Sequence, residues 1–132
     1  MKYLLSFIVE ERAMEDASPD QMQESLERWA AFDDEATERG ALIACEPLES
    51  SSVATTIRLR PDGERIVTDG PFAESKEQLG GFCLLDCENL DEALAWAGKV
   101  PMLSGSIEVR PVMDLSRFGY ESRTVPPLNA VR

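Results

Sequence analysis

Residues 2–9 carry apolar side chains on both faces of an extended chain, with Tyr3, Leu5, Phe7 and Val9 on one side and Leu4 and Ile8 on the other. That pattern predicts a central strand covered from both sides. An acidic loop over residues 10–17 follows. Ser18-Pro19-Asp20-Gln21 then predicts a helix start, with Ser18 as N-cap, Pro19 in the first position and Gln21 in the third. Met22, Leu26, Trp29, Asp33 and Ala36 recur at helical spacing, widened by Ala30 and Phe32, until Gly40 stops the helix near Arg39. Residues 41–45 read as a short strand broken by Glu46-Pro47, and residues 48–52 as a serine-rich loop.

Alternation returns over residues 53–60, with Val53, Thr55, Ile57 and Leu59 against Thr56, Arg58 and Arg60. Pro61-Asp62-Gly63 turns the chain, and residues 65–68 come back as a hairpin. A corner follows at Asp69-Gly70-Pro71-Phe72: Gly70 tolerates positive φ, and Pro71 removes a donor, so no regular ladder crosses this point. Residues 81–87 are again apolar on both faces. Asn89 caps a second helix, with Glu92 completing a capping box and Leu90, Ala93, Leu94 and Ala97 forming its stripe, up to Pro101. The last strand is 106–113. The order β-α-β-β-hairpin-β-α-β predicts an α+β, ferredoxin-like plait. Two helices cover one sheet face, yet Leu4, Ile8 and the 81–87 strand make the other face apolar too. A second copy packed face to face covers it, which predicts a homodimer.

Composition narrows the partners. The chain has 132 residues, a net charge of −12 and a pI near 4.4. Phosphate backbones and anionic lipid are repelled by such a surface, so neither nucleic acid nor membrane is an expected partner. The first residues hold too short an apolar run for a signal peptide, and the chain reads as cytoplasmic. Histidine is absent. No Ser-His or Cys-His pair is therefore available, and no metal or other cofactor is expected. Three cysteines without a close pair do not suggest a disulfide framework. Cys83 and Cys87 lie roughly 13 Å apart on one strand face, beyond bonding reach, and read as small buried hydrophobes.

The run DGPFAESKEQLGGF, with LDEALAWA and GSIEVRPV after it and MKYLLSF and ATTIRLR before it, resembles the YCII-related proteins, in the branch named for its Asp-Gly-Pro-Phe motif. The likeness covers residues 1–113 and leaves 114–132 as an irregular C-terminal extension. It implies a ferredoxin-like fold that dimerises into an α/β barrel, a suspected site at the motif, and mostly no established activity. Genes of this family often neighbour those of extracytoplasmic-function sigma factors, which implies an association and a regulatory alternative.

Candidate chemistry centres on Asp69. As a general base it needs burial to raise its pKa; as a turn residue it caps its own corner. Ser75 and Lys76 are neighbours and cannot form a dyad. Lys76 or Arg58 could anchor an anionic ligand. Arg58, Glu108 and Arg110 point toward the uncovered face, either as structural ion pairs or as the lining of a pocket. The expected function is binding of a small molecule in a cavity near Asp69. The alternatives are an acid–base isomerase or lyase using Asp69, and a regulatory interaction protein.

Overall fold

The computed structural model describes residues 1–121. In chain order the strands and α-helices are β1 (Lys2–Glu10), α1 (Glu11–Glu15), α2 (Pro19–Glu38), β2 (Leu42–Pro47), β3 (Thr55–Leu59), β4 (Arg65–Asp69), β5 (Glu77–Asp86), α3 (Leu90–Lys99) and β6 (Ser106–Pro111). Four strands form one antiparallel sheet in the order β2-β5-β1-β6, while β3 and β4 form a separate two-stranded sheet. This is the α+β arrangement of a ferredoxin-like plait, with the β3–β4 hairpin inserted between the second and third strands of the plait.

The apolar first strand takes the central place its two-sided pattern predicts. Leu5 lies opposite Cys83 of β5 on one side and Val109 of β6 on the other. Tyr3, Leu5 and Phe7 are buried with Cys83 and Leu85 beneath Phe32 and Ala36 of α2 and Ala93 and Trp96 of α3. An aromatic chain, Phe7–Trp29–Phe32–Trp96, crosses this layer with ring centroids 5.2, 6.0 and 6.1 Å apart. Each large side chain so buried contributes about 1.5–3 kcal/mol. Ser18 and Gln21 close the capping box of α2. At α3, Asn89 accepts from the Glu92 amide, while the Glu92 carboxylate reaches the amide of Glu88, one residue earlier than a standard box requires.

Several expectations are corrected. Residues 11–15 are helical instead of loop. β5 starts at Glu77, not at residue 81, because a bulge between Phe7 and Ile8 lets pairing with β1 continue as far as Glu10↔Glu77. Cys83 is not a free buried hydrophobe. It lies directly opposite Cys45 of β2 and is bonded to it as a disulfide, leaving Cys87 as the free, buried thiol. Among the described residues, Asp33 Oδ1 on α2 is buried without a hydrogen-bond partner, and burial, with Asp34 and Glu46 nearby, pushes its carboxyl up. Residues 114–121 contain a short 3-10 turn, Leu115–Phe118, and the remaining tail lies outside the described residues. Among the described residues no helix is long and apolar enough to cross a membrane.

On the helix-free face, register aligns Leu4 with Leu84 and Arg110, and Ser6 with Phe82 and Glu108. Leu4, Ile8, Phe82 and Leu84 are half-buried there, and among the described residues no helix of the core packs on them.

The double glycine of the motif run has a packing reason. A Cβ on Gly81 would sit 2.9 Å from the Glu46 carbonyl oxygen, and one on Gly80 2.5 Å from Val9 Cγ2. A backbone oxygen fixed in a sheet cannot step aside. Gly81→Ala is therefore expected to lower stability by about 1–3 kcal/mol. Gly98, inside α3 with open space around its Cα, is the contrast: Gly98→Ala is expected to add about 0.5–1 kcal/mol. Urea unfolding of the two variants checks both signs.

Candidate functional site

The Asp-Gly-Pro-Phe corner is held by side chains reaching onto its backbone. Gly70 has φ +108°, donates its amide to the Ala54 carbonyl at 2.7 Å, and accepts from Thr56 Oγ1 at 2.8 Å. Arg58 Nη2 donates to the Phe72 carbonyl at 3.2 Å. Past the corner, Gln78 Nε2 donates to the carbonyls of Ala73 and Ser75 at 3.0 and 3.1 Å. Bonds from β3 and from the start of β5 thus fix the loop from both ends. Phe72 nonetheless projects outward and is 78% exposed.

Facing this corner is the segment between β2 and β3. Leu48 donates its amide to the Gly80 carbonyl at 2.9 Å, which fixes the start of that segment against the β5 bulge. Further on, the Glu11 carboxylate accepts from the Ser51 amide at 2.8 Å and from the Ser51 hydroxyl. These two bonds, the hydroxyl first, hold the Glu11 carboxyl below the usual glutamate range.

Between the two walls lies a cleft of about 410 Å³. Leu48, Val53, Pro71, Phe72 and Leu79 supply most of its apolar lining, and Ser51, Thr56 and Gln78 its main polar groups. Those polar groups are already engaged within the protein: Thr56 with Gly70, Ser51 with Glu11, and the Gln78 amide nitrogen with the loop. The Gln78 carbonyl oxygen is left as an acceptor. Among the described residues Glu49 is the charged residue of the wall, and no lysine or arginine lines the cleft. The cleft is open to solvent along one side, and its lining suits an uncharged, largely apolar molecule of modest size, with a volume within the range of small-ligand sites.

The residues singled out in the sequence do not converge on this cleft. Asp69 ends β4 opposite Thr55, is exposed, and makes no hydrogen bond among the described residues. Register places it on the same hairpin face as Ile57 and Val67. Arg58 contacts the corner, but through the Phe72 backbone. Lys76 is exposed on the loop. Glu108 and Arg110 pair with each other at 2.5 Å on β6, which β1 separates from β5 and the cleft. Among the described residues no group of three or more histidine, cysteine or acidic side chains is placed to hold a metal ion. The lining residues Leu48, Ser51, Val53 and Leu79 carry no motif of their own. Gln78 was visible only as part of the run after the corner.

A model of the YCII-related domain matches residues 1–116 of the chain. An uncharacterized protein of Rhizobium meliloti (strain 1021) is 49% identical over 78 residues, which make up 57% of this chain and 62% of that protein. The match thus spans less than two thirds of the relative's length.

Proposed function

This chain belongs to the YCII-related domain family, and on that premise we propose that it binds a small, uncharged and largely apolar molecule in the cleft beside the Asp-Gly-Pro-Phe corner. The observation that carries this reading is the cleft itself: a motif held in place by Thr56, Arg58 and Gln78 forms one wall, and among the described residues no lysine or arginine lines the cleft to take an anion. The protein acts as a homodimer in this reading, its open sheet faces meeting to cover Leu4, Ile8, Phe82 and Leu84. Acid–base catalysis by Asp69 gains no support from the geometry, since its carboxylate stands in solvent without a partner. An association with a sigma factor rests on the family resemblance alone. The Cys45–Cys83 disulfide argues against a cytoplasmic location, because such bonds are rare in reducing compartments.

The test is thermal melting against neutral lactones and esters, carboxylates and amines. A ligand at ten times its Kd adds about 1.4 kcal/mol and raises Tm by about 5 °C. Neutral apolar compounds should do this for the wild type and lose the effect in Val53→Glu, which places a charge on an exposed stretch of the wall. Stabilisation by carboxylates alone, or an equal effect in both proteins, would reject the cleft.

A further inference from the structure

The hydrogens of the cleft's polar groups are already donated within the chain. Thr56 gives its hydroxyl hydrogen to the Gly70 carbonyl, and Ser51 gives its own to the Glu11 carboxylate. Backbone amides along the 48–56 wall are engaged as well: Leu48 with Gly80, Ser51 with Glu11, Val53 with Ser50 and Ala54 with Ser51. On the opposite wall Pro71 has no N–H to offer. Glu49 adds a carboxylate, which is an acceptor.

Gln78 completes this pattern. The two hydrogens of its amide nitrogen match two acceptors, the carbonyls of Ala73 at 3.0 Å and Ser75 at 3.1 Å. Those bonds fix which end of the amide is nitrogen, because an oxygen in that place would face two carbonyl oxygens. Ala73 and Ser75 stand outside the cleft lining, while Gln78 belongs to it. The nitrogen therefore turns to the loop, and Oε1 is the end left to the cleft. Among the described residues Oε1 accepts no hydrogen bond, although it carries two lone pairs.

We propose, on the reading that the cleft is a ligand site, that Gln78 Oε1 selects for a hydrogen-bond donor. The molecule bound is then a neutral alcohol or phenol: its hydroxyl donates to Oε1 while its carbon body lies against Leu48, Val53 and Leu79. An ether, ester or lactone brings further lone pairs to a wall of acceptors and gains apolar contact alone. A hydroxyl compound gains a hydrogen bond and leaves no acceptor covered without a partner. An ammonium ion also donates, but Glu49 is exposed, and a charge pair in solvent gains little against the water the ion sheds. Gln78 thus has two tasks, bracing the loop with its nitrogen and reading the ligand with its oxygen.

A matched pair of compounds tests this, β-naphthol and its methyl ether, titrated calorimetrically into the full chain at neutral pH. The naphthol should bind the wild type about fivefold more tightly than the ether, the worth of one neutral hydrogen bond. In Gln78→Leu the two should bind alike, with the ether as tight as in the wild type. The ether is the structural control, because a loosened loop would weaken both compounds. Equal binding of the two to the wild type overturns the donor preference and leaves the cleft reading standing. So does binding of lactones or esters by a wild type that takes no naphthol. Binding of no neutral compound at all removes the cleft as a site, and this inference with it. A naphthol preference that survives in Gln78→Leu rejects Gln78 as the acceptor. Should that variant not fold, or lose both compounds, the Gln78 side-chain carbonyl carbon of the wild type decides by nuclear magnetic resonance. Its signal must move on saturation with naphthol and stay in place with the ether, and an unmoved signal with naphthol refutes the contact.

Discussion

Reduction of the Cys45–Cys83 disulfide is expected to lower the folding free energy by about 3–4 kcal/mol, as for a cross-link closing a loop of this length. The two cysteines are 38 residues apart, and the stretch between them holds the hairpin, the motif corner and both cleft walls. Without the bond, the unfolded chain regains the freedom of that whole segment. The folded chain keeps the β2–β5 pairing, so the reduced protein should fold with an earlier midpoint instead of losing the fold. Urea unfolding with and without a phosphine reductant measures the difference. Thiol titration of the unfolded oxidised protein should find one thiol, that of Cys87, and three after reduction. Three thiols before reduction, or the same midpoint in both states, would contradict the bond.

A second large effect is expected from Leu84→Lys. Leu84 lies opposite Leu4 of β1 and Ala44 of β2, in the middle of the helix-free face. In a dimer closed through that face, a lysine there becomes a buried charge without a partner, and two-fold symmetry places it twice. Dimerisation should weaken at least about 100-fold, since an uncompensated buried charge costs several kcal/mol. The helix-side core does not touch this position, so the variant should remain folded as a monomer. Leu94→Lys, at an exposed position on α3, is the control and should associate like wild type. Sedimentation equilibrium at micromolar concentration reads both, and an undiminished Leu84→Lys dimer would rule this interface out.

The plait was legible in the sequence because its signals are local. Apolar residues on both faces of residues 2–9 and 81–87 mark central strands, and Ser18-Pro19 and Asn89 mark helix starts. What was not legible depends on register between distant segments. The disulfide exists because β2 pairs with β5 across the intervening hairpin, and only that pairing sets Cys45 opposite Cys83. The bulge at Gly80 extends β5 by four residues, which no periodicity in Glu77-Gln78-Leu79-Gly80 announces. The cleft draws its walls from residues 48–56 and 71–79, and its rigidity comes from side chains acting on backbone carbonyls. At the corner, turn chemistry correctly reads the positive φ of Gly70, while the outward direction of Asp69 follows from its register with Thr55.

The most direct test of the cleft is an amide chemical-shift titration of the isotope-labelled full chain with the neutral compound that most raises its Tm. Binding in the cleft predicts saturable shifts concentrated at Ser51, Val53, Thr56, Phe72 and Gln78, with little change at Glu108 or Arg110. Saturable shifts centred on Asp69 and Lys76, or on the β6 ion pair, with the cleft amides unmoved, would contradict it.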